Sequence, residues 1–179
     1  MSSTLIQAAG LQSDGIAPVS LTAGPLTMSF DQGDLRYLRL GRREIIRRIY
    51  GAVRDQNWGT VPAEVSELRS EISGDRFRLS YTGIHRQNGI HFVAQVEIAG
   101  DADGSVRFDF DGEAKSTFLR NRIGLCVLHP IREGAGAKCR ARYVGGGGCE
   151  LVFPEIIATE QPISGFSNLA GLAHEIEPG

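Results

Sequence analysis

Lysine is nearly missing from this 179-residue chain: Lys115 and Lys138 are its only lysines, and arginine carries the rest of the positive charge. Nineteen basic residues stand against 21 acidic ones, a net charge of −2. That balance excludes a global electrostatic drive toward nucleic acid or anionic lipid. Arginine suits bidentate contact with carboxylate or phosphate, although a GC-rich genome produces the same skew. Cysteine is sparse too. Cys126, Cys139 and Cys149 lack CxxC spacing, which argues against a disulfide framework or a zinc site and for free thiols in a reducing cytoplasm. No apolar run approaches the ~20 residues that span a bilayer. The opening MSSTLIQAAGLQSDG has neither a basic region nor a continuous apolar stretch, so a signal peptide is not expected.

Several catalytic signatures are missing as well. His85, His91, His129 and His174 show no HxH or HExxH spacing. Asp101-Ala102-Asp103-Gly104 is a turn, because it lacks the later ligands of a calcium loop. The Gly145–Gly148 run has no following Lys and cannot be a phosphate loop, and GxSxG is missing. No metal and no cofactor are expected.

What the chain has in quantity is alternation. In FRLSYTGIHRQNGIHFVAQVEIAGDADGSVRFDFDG, residues 77–112, Asn88-Gly89 is a two-residue hairpin turn because both positions tolerate positive φ. That turn sets Ile90 against Gln87, Phe92 against His85, Val96 against Tyr81 and Ile98 against Leu79. The loop Ala102-Asp103-Gly104 independently places Phe108 opposite Ile98 and Phe110 opposite Val96. One face then collects Phe77, Leu79, Tyr81, Phe92, Val96, Ile98, Phe108 and Phe110. The other collects Arg78, Ser80, Gln95, Glu97, Arg107 and Asp109. Two turns agreeing on one apolar face make a register error improbable. The register also sends His85 and His91 to opposite faces, against a shared metal.

Upstream, PLTMSFDQGDLRYLRL forms a hairpin about Gln32-Gly33, aligning Met28 and Phe30 with Tyr37 and Leu35. EIIRRIYGAVRD, 44–55, reads as a strand by its β-branched content, a helix being the competing reading. VSELRSEIS follows, and later strands fall at 117–129, 138–144 and 149–153. The one helical turn is expected in FSNLAGLAHEI. The expected fold is all-β: an antiparallel β-sandwich or supersandwich of about ten strands. Residues 1–18 are expected as a flexible arm and 19–179 as one domain.

Three stretches concentrate chemistry. RNRIGLCVLHP, 120–130, reads as a core strand with polar ends: Ile123, Leu125, Val127 and His129 on one face, Arg122, Gly124, Cys126 and Leu128 on the other. His129 is a candidate acid or base, or a cap bonded to a backbone carbonyl. RRIYGAVRDQNWGTVP, 47–62, holds Arg47, Arg48, Tyr50, Arg54, Asp55, Asn57 and the single tryptophan, Trp58. Aromatic faces beside Arg, Asp and Asn suit a sugar, the ring covering C–H faces while polar groups read hydroxyls. The bland alternative is a loop pinned by an Arg54–Asp55 contact, with Trp58 plugging the sandwich end. FPEIIATEQP, 153–162, supplies Glu155, Glu160 and Gln161, where a carboxylate near an imidazole would form an acid/base pair.

These stretches, together with DGEAKSTFLRNRIGLCVLHP, resemble the N-terminal region of D-apionate lactonase-like proteins of bacterial sugar-acid catabolism, over about residues 20–177. The resemblance implies a β-rich N-terminal domain of a cytoplasmic enzyme that hydrolyses the lactone of a branched-chain pentonic acid. It also implies further chain after HEIEPG, with more strands and a barrel-like domain. Glu160 stands where a His-Gln-Pro-type sequence is expected in the family. Within the matched motifs, His129, Glu155 and Arg122 are the candidate catalytic residues. Arg47, Arg54, Asp55, Trp58, Asn121 and Gln161 are candidates for holding a sugar acid or lactone. The alternative is a non-catalytic carbohydrate-binding or accessory sandwich. The partners to consider are a homodimer mate or the missing C-terminal domain, with no nucleic acid and no membrane.

Overall fold

In a computed structural model, which describes residues 17–156 and 165–175 together with the backbone of 4–7, the organising turn is the one at Asn88-Gly89. Its φ values are +49° and +82°, the conformation that matches the twist of two antiparallel strands. The turn joins β7 (Arg76–Gln87) to β8 (Ile90–Gly100), and Gly104 at φ +85° joins β8 to β9 (Val106–Ala114). The register is the expected one throughout: Gln87 faces Ile90, Tyr81 faces Val96, Val96 faces Phe110 and Ile98 faces Phe108. With β1 (Thr4–Gln7) and β6 (Ala63–Ser73) these strands form a first sheet in the order β1-β6-β7-β8-β9. Part of the segment expected as an arm thus pairs with β6, and the rest lies outside the described residues.

The second sheet runs β10-β5-β4-β3-β2, with β2 at Val19–Ala23, β3 at Leu26–Asp31, β4 at Asp34–Leu40, β5 at Arg43–Asp55 and β10 at Arg120–Leu128. Its inner face carries Leu21, Met28, Phe30, Leu35, Leu38 and Val53. These pack on Phe77, Leu79, Tyr81, Phe92, Val96 and Ile98 of the first sheet. Each such side chain contributes roughly 1.5–3 kcal/mol by leaving water. The Tyr81 hydroxyl crosses the core and donates to the Gly33 carbonyl at 2.7 Å. Burial pushes that phenol well above its ordinary pKa, so it remains a donor. His85, also buried, donates from Nδ1 to the Val61 carbonyl at 2.9 Å.

The third sheet, β12-β11-β13, comprises β11 (Lys138–Tyr143), β12 (Gly148–Val152) and β13 (Leu169–His174). The all-β antiparallel reading therefore holds, and the strand expected over 44–55 is β5.

Three local expectations fail, each for a physical reason. The pairing of Met28 with Tyr37 is broken by a register shift in β3–β4. Tyr37 takes φ +55° and is 40% exposed, and Leu38 enters the core in its place. Alternation alone cannot announce such a bulge. FSNLAGLAHEI forms strand β13 rather than a helical turn, because pairing with β11 outweighs its helix-favouring Leu and Ala. Among the described residues the single helical turn, α1, is Ile131–Gly134 instead. Finally, β10 is an edge strand and not a core strand: Leu125 and Val127 are each 47% exposed.

Gly51 marks a close approach between the sheets, since a Cβ there would lie 2.2 Å from the Phe110 ring. Gly51→Ala is expected to cost about 1–3 kcal/mol through overpacking, read as a lower urea midpoint. Gly145→Ala, where a Cβ meets nothing within 4 Å, should leave the midpoint nearly unchanged.

Candidate functional site

The candidate residues divide between the two ends of β10. At its start, β10 pairs with the end of β5, Arg120 facing Asp55. Asp55 organises the following loop: its Oδ1 accepts the backbone N–H groups of Asn57 at 2.8 Å and Gly59 at 2.7 Å. A Cβ on Gly59 would strike that carboxylate, so glycine is required for the close approach. Trp58 is held in the loop at φ +67° and is 54% exposed. The Arg122 guanidinium lies 5.5 Å from the indole centroid, a cation–π arrangement. Arg54 donates to the Tyr50 hydroxyl at 2.9 Å and to the Thr60 hydroxyl. Arg48 lies over Tyr50, its guanidinium 3.9 Å from the ring centroid and paired with Asp34 at 2.7 Å. Burial, followed by the Cys126 thiol, raises the Tyr50 pKa.

At the far end, His129 makes an aromatic cluster with Phe153 at 5.2 Å and His174 at 5.4 Å between ring centroids. Phe166 stacks on Phe153 at 5.6 Å. The His129 Nδ1 is buried with no hydrogen-bond partner among the described residues, so any cap to a carbonyl would have to come from Nε2. Burial, with a smaller contribution from His174, holds its pKa below 6.5 and keeps the ring neutral. Glu155 follows Phe153 by two residues and is exposed beside the Gly136 turn. It makes no hydrogen bond to His129 among the described residues. The cleft shared by His129, His174, Glu44 and Glu133 encloses only about 10 Å³, too little for a sugar.

Arg122 and His129 are seven residues apart along an extended strand, a separation on the order of 20 Å. A single cleft holding the His129 imidazole together with Trp58 and Arg122 is therefore not formed. Arg54, Asp55, Trp58 and Arg122 come together, with half-buried Asn121 next to them in sequence. His129 and the Glu155 segment share the other end. Arg47 belongs to neither group, pairing with Glu44 at 2.5 Å beside Tyr37. Gln161 and Glu160 lie outside the described residues. Among the described residues no group of three His, Cys, Asp or Glu side chains could hold a metal, and no helix is long and apolar enough to cross a membrane.

One concavity was missed by motif reading. A groove of about 960 Å³ opens between β9 and β10, floored by Phe92, Phe110 and Phe118 and rimmed by Asp111, Lys115 and Arg120. Its signal was present in DGEAKSTFLRNR, where charged and hydroxyl residues interrupt the aromatic alternation. Only pairing shows that this connection spans the open side of the sandwich.

Comparison with known proteins agrees with the β-rich architecture. The profile described as D-apionate lactonase, N-terminal domain, matches residues 6–179. The chain belongs to this family. It is 30% identical over 163 residues to the D-apionate lactonase of Brucella anthropi, an alignment covering 90% of this chain and 26% of that protein. The chain thus spans about a quarter of the length of this curated relative. No solved structure matches it.

Two expectations follow for this family member. Because the folded-state pKa of His129 and that of His85 are both depressed by burial, the unfolded chain binds protons more readily. Their contribution is fully present above the unfolded value of about 6.5 and is lost as pH falls toward the folded values. Urea midpoints should drop as pH falls below that value. His129→Phe, which preserves the ring stack, should flatten the drop and leave the part due to His85. Separately, Asp55→Ala should free the loop amides at a cost of about 2 kcal/mol. A shift in the fluorescence of Trp58, the single tryptophan, would report it.

Proposed function

We propose that this chain acts as the N-terminal β-domain of a sugar-lactone hydrolase in cytoplasmic carbohydrate catabolism, and that it does not complete a catalytic centre alone. The observation that carries this reading is the separation of the two ends of β10 within a chain of this family. Opening a lactone requires a base to activate water. It also requires donors to stabilise the tetrahedral oxyanion before the ring C–O bond breaks. Neutral His129 has the protonation state of a base, and Arg54 and Arg122 have the donors. A single five-carbon lactone cannot touch groups on the order of 20 Å apart. The remaining reacting groups would come from the rest of the enzyme, with this domain contributing one side of a site or its support.

A non-catalytic carbohydrate-binding role is the second reading. It is favoured by the groove of about 960 Å³ with its aromatic floor and by Trp58, exposed beside Arg122. In that case sugar acids would bind without being turned over.

The two readings share one assay. The purified 179-residue chain is mixed with aldonolactones, D-apionolactone included, and acid release is followed in a pH-stat. Release at the buffer rate is expected. Turnover abolished by His129→Ala would overturn the proposal, because it would make the chain a self-sufficient hydrolase. Calorimetric titration with the same compounds decides the second reading: saturable heat supports it, and no heat removes it.

A further inference from the structure

Among the described residues the first sheet ends at β9, and no strand of it lies beneath β10. Phe110 of β9, the last strand of the first sheet, packs against Gly51 of β5. β9 therefore lies opposite β5, and β10 projects beyond it. Ile123, Leu125 and Val127 pair with Val53, Gly51 and Ile49 and share their inward-facing side. Ile123 reaches the core cluster, but Leu125 and Val127 are each 47% exposed on a side where the sandwich should be dry. The strip continues at its two ends into Leu119, 72% exposed, and Ile131, 60% exposed. Beside it runs the groove between β9 and β10, whose rim includes Arg120 and Lys115. Both strands bordering it are sheet edges, so their outer backbone groups face no further strand among the described residues. Open strand edges with an apolar lining form a template for an added strand.

We propose that this seam is a docking surface for the remainder of the lactonase. That remainder inserts an extended segment beside β9, with apolar side chains under Leu125 and Val127 and a carboxylate near Arg120. The inference rests on the functional reading above. The occupant is identified by length: the curated relative carries about three quarters of its chain outside the region matching this one. A small sugar would fill the groove but leave Leu125 and Val127 wet, whereas a strand covers both and satisfies the edge backbone.

The test replaces the matching N-terminal quarter of the Brucella anthropi D-apionate lactonase with this 179-residue chain. Hydrogen exchange at the amides of β9, residues 106–114, is then compared between the chimera and the isolated chain. Exchange at least tenfold slower in an active chimera is expected. Leu125→Glu with Val127→Glu should restore fast exchange and lower the thermal midpoint of the chimera, without lowering that of the isolated chain. An active chimera whose amides exchange as fast as the isolated chain's, and which ignores the double substitution, overturns the docking surface and leaves the functional reading intact. A folded but inactive chimera with slow exchange keeps the surface and overturns the functional reading. If light scattering shows the isolated chain to be a dimer that the double substitution dissolves, the occupant is a second copy and the proposal fails.

Discussion

Everything in this molecule depends on two half-dry sheets having only each other to bury against. A strand shows alternate residues to opposite sides, so a single register decides which residues enter the core. Two turns, Asn88-Gly89 and the loop closed by Gly104, set that register in the first sheet. Once it is set, Phe77, Leu79, Tyr81, Phe92, Val96 and Ile98 must find an apolar cover, and β2 to β5 supply it. Polar groups carried inside by the same alternation find partners there, as Tyr81 and His85 do.

The geometry of that cover decides where chemistry can occur. Because β9 lies opposite β5, β10 is left as an overhang whose two ends serve different neighbours. Its first residues meet the β5–β6 loop and its arginine–aromatic stacks. Its last residues meet the third sheet through His129, Phe153 and His174. A stiff strand between them keeps these groups apart. This separation weighs more than the type of any one residue in deciding which groups can act together.

The charge distribution fits the same picture. Arg48 and Arg36 both pair with Asp34 on the outward side of the second sheet, where burial raises the Asp34 pKa against the pull of both guanidinium groups. Arg54 donates to Tyr50 and Thr60, and Arg47 pairs with Glu44. Much of the arginine excess noted in the composition is thus committed to holding the sheet face. Arg120, on the rim of the groove, has no such bond among the described residues.

By itself the sequence determined the fold class, the meander register, the opposite facing of His85 and His91, and the strand character of 44–55. Each follows from short-range rules: a turn of known geometry, a period of two, and β-branched content. It also carried the family resemblance, through motifs read as contiguous words. Only the tertiary structure decided that β10 is an edge, that Tyr37 yields the core to Leu38 through a bulge, and that FSNLAGLAHEI pairs as a strand. It alone showed that the arginines and the histidine of RNRIGLCVLHP meet different neighbours at the two ends of β10. Those facts depend on which strand lies across from which, a long-range property that the alternation of a single strand does not encode.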